Sequence, residues 1–247
     1  MSSKIGLNLS KYYSINFDLP KRAKQSIKFI IIHYTGMKKE TNAIKKLCDY
    51  QSKVSSHYFI KNNGKILNLV PDLYAAWHAG VSHWKNYYSL NKYSIGIEIN
   101  NPGHNYKYNE FYPKQINSLI KLLKYLTKEY KINKINVLGH SDISPERKKD
   151  PGEKFPWKRL AKLNLCKWHN LNEKKIRKFR NLKVNNIEES LFYKNLRKIG
   201  YSKVSLNSKK NLKNALIKAF QRKFRQNLIN GKIDKECYLI SKNLLKK

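Results

Sequence analysis

Apolar residues recur along this chain with two different periods. Short, nearly continuous runs bounded by turn residues read as buried strands: Lys28–His33 (KFIIIH), Ser56–Ile60, Lys65–Val70 and Ser94–Ile99 (SIGIEI). Asn62-Asn63-Gly64 between the second and third is a hairpin turn signature. Side chains alternate along a strand, so in SIGIEI Glu98 faces away from Ile97 and Ile99. Gly96 inside the same strand marks a place where another group comes close. Ile135-Asn136-Val137-Leu138 reads as one more buried strand, ended by Gly139. Other stretches carry the helical period. In Pro113–Tyr130, Ile116, Leu119, Ile120, Leu123 and Leu126 form one stripe with lysines opposite. A shorter stretch groups Ala43, Ile44, Leu47 and Cys48 behind a cap at Thr41 or Asn42. Strands interleaved with helices, with one hairpin among them, predict an α/β fold: a mixed β-sheet flanked by helices.

After His169 the pattern changes. Residues 170–185 are charged, lack a long period and read as a linker. Three helical stretches follow. Asn186 can cap the first, which carries Glu188 and Glu189 in its opening turn and Gly200 past its end. Asn207 or Ser208 can cap the second, with Leu212, Ala215, Leu216, Ala219 and Phe220 on one face. Asp234 can cap the third, after an Asn230-Gly231 turn. The expected organisation is a lead-in over 1–27, an α/β domain over 28–169, a linker over 170–185 and a small three-helix domain over 186–247. About 60 residues in three helices make a marginal core, so the last part is expected to pack on the first or to serve as a binding module.

Composition changes this picture little. With 40% hydrophobic residues, the 247-residue chain can build a core. Its three cysteines are far apart and odd in number, which argues against a disulfide framework. The net charge of +36 alone would suggest a nucleic-acid partner. But 44 of the 52 basic residues are Lys and only 8 are Arg, the residue suited to bidentate phosphate contacts. The lysines are spread over the whole chain, so no specific nucleic-acid partner is expected. No run approaches 18 apolar residues, which excludes a helical membrane span by this pattern. The first residues show no secretory signal, so cytoplasmic is the default location, with the cell envelope as the alternative.

The candidate chemistry lies in GHSDISPERKKDPGEKFPW, residues 139–157. His140 sits at a strand end. Asp150 precedes Pro151, which biases its backbone toward an extended conformation, and Gly152 completes a turn. His33 also closes an apolar β-branched run, just before the turn residue Gly36. Two strand-end histidines and a loop aspartate form a His/His/Asp set. Three protein ligands with a fourth position left open is the pattern of catalytic zinc.

Five blocks then carry a resemblance: HYTG (33–36), VSSHYFI (54–60), WHAGVS (77–82), SIGIEI (94–99) and the 139–157 stretch. In order and spacing they resemble the zinc-dependent N-acetylmuramoyl-L-alanine amidases of the type 2 amidase family, which includes the peptidoglycan recognition proteins. Residues 215–245 resemble a peptidoglycan-binding three-helix module. The resemblance covers about 28–247. It implies one Zn²⁺ per chain on His33, His140 and Asp150, and a catalytic role for Glu98. It implies a catalytic lysine at Lys148, with Lys149 an adjacent alternative. It further implies hydrolysis of the amide between N-acetylmuramic acid, including its 1,6-anhydro form, and L-alanine of peptidoglycan or muropeptides. Trp77 and His78 fall in the block near the substrate groove, and His57 in a block where it would orient a ligand from behind. His83, His104 and His169 match nothing in the family and are expected at the surface. The competing reading is a non-catalytic peptidoglycan-recognition protein. Such a protein typically lacks a metal ligand, whereas all three are present here.

Overall fold

The computed structural model describes residues 12–202 and 207–246; residues 1–11 of the expected lead-in, residues 203–206 and Lys247 lie outside the described residues. In chain order the elements are β1 (Phe17–Asp18), β2 (Phe29–Tyr34), α1 (Glu40–Cys48), β3 (Tyr58–Ile60), β4 (Ile66–Asn68), β5 (Ala75–Ala76), β6 (His83–Trp84), β7 (Tyr87–Tyr88) and β8 (Ser94–Ile99). There follow α2 (Pro113–Glu129), β9 (Val137–Gly139), α3 (His140–Ile143), α4 (Trp157–Lys162), α5 (Glu173–Arg177), α6 (Asn186–Ile199), α7 (Lys210–Phe224) and α8 (Lys235–Asn243).

The apolar runs pair into one five-stranded sheet of order β4-β3-β8-β2-β9. β3, β8, β2 and β9 run parallel, and β4 closes one edge antiparallel to β3 through the expected hairpin. Parallel strands need cover on both faces, which is why their sequences are apolar almost without interruption. On one face Ile30, Ile32, Ile95, Ile97 and Ile99 pack against Leu119, Leu122, Leu123 and Leu126 of α2. On the other, Phe29, Ile31 and Leu138 pack with Trp84, Leu90 and Ile143, and this core continues into Phe192, Leu196, Leu216 and Phe220 of the C-terminal helices. The fold is therefore the expected mixed sheet flanked by helices, and α6–α8 share the core of its second face.

Several local expectations shift. Residues 170–185 carry α5, whose Ile176 is buried, and the carbonyls of Phe179 and Leu182 accept from the backbone N–H groups of Glu236 and Lys235. One buried apolar residue in five is too short a signal for periodicity to reveal. The cap of α6 is Asn185, one residue early, in a capping box with Glu188. α1 starts at Glu40, so Thr41 and Asn42 lie inside its first turn, and α7 starts at Lys210, beyond Asn207 and Ser208. Residues 134–136 form a 3₁₀ turn held by the Asn133 side chain, so the strand is only Val137–Gly139 and His140 opens α3.

A buried ion pair ties α7 to α3. Lys223 Nζ donates to Asp142 Oδ2 at 2.8 Å and to the Val137 carbonyl at 3.2 Å. Asp142 also accepts from the Tyr201 hydroxyl at 2.7 Å and from the Gly139 N–H at 2.8 Å. A buried charge needs this degree of saturation to be tolerated.

Candidate metal centre and catalytic cleft

Alternation along β2 sends Phe29, Ile31 and His33 to the second face of the sheet, so His33 extends an apolar row to its polar end. His140 arrives from β9. A Cβ at Gly139 would sit 2.6 Å from Pro151 Cδ, so a glycine is needed for the 150–151 segment to lie against the strand. The Ser141 N–H donates to the Asp150 carbonyl at 2.9 Å and brings that carboxylate in. His33 Nδ1 and His140 Nδ1 end 2.9 Å apart, and each lies 3.1 Å from Asp150 Oδ2. All three residues are buried, and together they form a cluster able to hold a metal ion.

The surrounding hydrogen bonds settle which ring nitrogens carry protons. The Ser94 hydroxyl donates to the Leu90 carbonyl at 2.6 Å, so its oxygen accepts from His78 Nε2 at 3.2 Å. His78 Nδ1 is then an acceptor, and His33 Nε2–H donates to it at 3.1 Å. His140 Nε2–H donates to the Ala79 carbonyl at 3.0 Å. Both Nδ1 lone pairs therefore face each other and the Asp150 carboxylate with no proton to share. Burial and the neighbouring His140 pull the His33 pKa down to about 4, which keeps that ring neutral. Asp150 Oδ2 stands against both rings as a third acceptor. Three converging acceptors repel one another, and a cation between them fits the donor set.

β8 supplies the rest of the face. Ser94, Gly96 and Glu98 all point to the site side, paired in register with Phe29, Ile31 and His33. Gly96 makes room for His78, whose Cγ would lie 2.4 Å from a Cβ there. Glu98 stands beside His33 at the mouth. Its Oε2 is sealed from solvent without a hydrogen-bond partner among the described residues. Burial and then the Asp150 charge push its pKa up to about 8, while Lys148 pulls it down. Lys148 is half-buried and Lys149 exposed; both border the cleft, but it is the charge of Lys148 that reaches Glu98 and His33. The cleft encloses about 420 Å³, with Met37 and Trp77 on its wall. A wider cleft of about 770 Å³ beside Trp168 gathers lysines but no such convergence of groups.

Other expected residues fall differently. Trp77 is half-buried and donates from Nε1 to Asp18 Oδ1 at 2.7 Å, which fixes its indole at the wall. His78 uses both ring nitrogens inside the protein, which leaves none for a substrate. His57 is one layer further back. Its Nδ1 accepts from the Gly96 N–H at 2.9 Å and its Nε2 donates to the Tyr74 carbonyl at 2.9 Å, so His78 and not His57 braces His33. His83 is half-buried against Tyr88. His104 is half-buried between the Tyr34 hydroxyl and Glu153. His169, expected at the surface, is buried in a stack on Trp168. The chain Tyr34–His104–Glu153 and the Ser94–His78 link were not anticipated. A glycine and a serine alternating with isoleucines in SIGIEI are the available signal for the latter.

Residues 23–153 match the family model described as N-acetylmuramoyl-L-alanine amidase. The chain is 36% identical to N-acetylmuramoyl-L-alanine amidase AmiD of Escherichia coli over 233 residues, 90% of this chain and 83% of that protein. It is 43% identical to the 1,6-anhydro-N-acetylmuramyl-L-alanine amidase AmpD of Haemophilus influenzae over 111 residues, 44% of this chain and 58% of that protein. In structure it superposes with a TM-score of 0.79, at 34% identity over 92% of each chain, on E. coli AmiD in complex with the substrate anhydro-N-acetylmuramic acid-L-Ala-D-gamma-Glu-L-Lys. It matches AmpDh3 of Pseudomonas aeruginosa, solved with an anhydromuramic pentapeptide, with a TM-score of 0.77 at 28% identity over 96% of each chain.

Proposed function

The chain belongs to the N-acetylmuramoyl-L-alanine amidase family, and from that premise we propose how its cleft cuts the amide between N-acetylmuramic acid and L-alanine. His33, His140 and Asp150 hold one zinc ion. The observation that carries this is their tautomer-fixed convergence, with edges of 2.9–3.1 Å, near the roughly 3.3 Å between neighbouring ligands of a tetrahedral zinc. Zinc bound there supplies Lewis acidity toward water and toward the amide carbonyl.

The chain's own residues do the rest. Glu98, beside His33 at the cleft mouth, takes the proton of the attacking water and returns it to the departing alanine nitrogen. A pKa raised to about 8 suits a group that must both accept and donate near neutrality, and the cation of Lys148 draws it toward the ionised form needed for the first step. Lys148 stabilises the charge that develops on the former carbonyl oxygen. His78, backed by Ser94, keeps the His33 lone pair aimed into the site. Trp77 offers a flat apolar wall to the sugar or peptide. The molecules acted on are peptidoglycan or its muropeptide fragments, in wall turnover or recycling.

Mass spectrometry of purified ordinary and 1,6-anhydro muropeptides after incubation tests this reading. Free stem peptide is expected from the wild type, with loss of at least about 10²-fold in rate on Glu98→Gln. No peptide release by the folded, zinc-loaded chain would contradict it and leave a binding protein in its place.

A further inference from the structure

Arg222 is a buried cation that the chemistry above does not use. It lies on α7, is only 9% exposed, and has no hydrogen bond or ion pair among the described residues. Its neighbours differ. Lys223 is held by Asp142 at 2.8 Å, and Arg225 is paired with Asp234. Glu153 is the opposing charge felt most at Arg222, and His104 Nε2 already occupies that carboxylate at 3.0 Å. An arginine carries five N–H donors in a rigid fork, and here they take no protein partner among the described residues and border a groove. The side chain borders a groove of about 300 Å³ between α7 and the 145–149 loop. Arg147, Lys148 and Lys149 line both this groove and the metal cleft, and Lys218 and Arg222 add the α7 side. Among the described residues, Glu146 is the sole acidic one on the groove wall. The diffuse surplus of lysine explains a positive surface; it does not explain an arginine 9% exposed on α7 with no ion-pair partner among the described residues.

We propose that this groove is a carboxylate site for the stem peptide, with Arg222 as its anchor. The inference rests on the amidase reading, which delivers such a peptide to the adjoining cleft. The peptide carried by the AmiD complex shows the relevant chemistry: a γ-linked glutamate leaves its α-carboxylate free, two residues from the bond to be cut, and the chain end offers a second carboxylate. A guanidinium and a carboxylate form two parallel charge-assisted hydrogen bonds, which a lysine does not match. α7 would thus read the peptide while the sheet cuts it.

Equilibrium binding of free L-Ala-D-γ-Glu-L-Lys by calorimetry tests this without requiring turnover. Three ligands are compared: the acid, its α-carboxamide at the glutamate, and its C-terminal amide. The wild type is expected to bind one of the amides at least about tenfold more weakly than the acid. Which amide loses affinity names the carboxylate that is read. Arg222→Gln should bind all three alike, and Arg222→Lys should keep part of the preference. Thermal unfolding of both variants confirms that α7 is intact, and the conservative Lys variant keeps the comparison open if the Gln variant fails to fold. Equal binding of acid and amides by the wild type, or undiminished preference in a folded Arg222→Gln, would overturn the proposal. Peptide release from intact muropeptide is measured separately on the wild type, so failure of the amidase reading would be seen on its own.

Discussion

Single residues in this site are set by partners far away in sequence. The lone pair on His33 is aimed by a chain that begins at the Leu90 carbonyl and passes through Ser94 and His78. Behind it, His57 is buried neutral. Burial, and then the Arg22 guanidinium 3.0 Å from its Nε2, lower its pKa from 6.5 to about 3. Between those values the unfolded chain binds a proton that the folded chain refuses, so stability is full above pH 6.5 and drains as pH falls toward 3. His33 and His78, lowered in the same direction, add to that slope in metal-free protein. Chemical denaturation across pH 4–7 should show stability falling with acid, and His57→Gln should flatten the slope even where it lowers stability overall. An unchanged slope in that variant would show that His57 is not the group refusing the proton. The sequence pointed to the three residues of the cluster, His33, His140 and Asp150, because two histidines close apolar runs and an aspartate sits in a stiff loop. It gave the supporting place to His57 and a place near the substrate to His78, whereas it is His78 that contacts His33. Their ring partners, the Tyr74 carbonyl and Gly96 N–H for His57 and the His33 ring and Ser94 hydroxyl for His78, lie far off in sequence, and no local spacing reveals them.

At the level of elements, periodicity located β2, β8 and α2 within a residue or so, and the alternation in SIGIEI placed Glu98 on the correct side. Helix starts slipped by one to three residues, because several neighbouring polar residues offer themselves as caps. The deeper miss concerns α7. In a chain with 44 lysines, Lys223 reads as surface charge, yet Leu216, Phe220 and Lys223 follow helical spacing and put it on the apolar stripe. There it meets Asp142, two residues past His140. Replacing Lys223 with Met would strand a buried carboxylate and should cost about 3–5 kcal/mol. A urea midpoint lowered at unchanged slope would register that loss. Lys223→Met combined with Asp142→Asn should recover part of it. A loss below about 1 kcal/mol would mean that the pair is incidental to the joint between α7 and α3.

Across the whole molecule, one sheet is packed on both faces, and the C-terminal helices complete the core that holds Phe29 and Ile31. This explains how three short helices that make a marginal core alone are stable: they bury their stripes against Phe29, Ile31 and Trp84. It also places α7 beside the loop that carries Lys148. No helix among the described residues is long and apolar enough to cross a membrane. The +36 charge is spread over this framework and governs non-specific attraction to anions, while the chemistry rests on a few buried groups. The central claim is one metal ion per chain at His33, His140 and Asp150, driving hydrolysis of the muramoyl–alanine amide. It is tested most directly by titrating zinc into chelator-stripped protein while following stem-peptide release from a muropeptide. The predicted result is no release without metal and a linear recovery that breaks at one zinc per chain, absent from Asp150→Ala. Release by the stripped protein, or a break at any other stoichiometry, would contradict it.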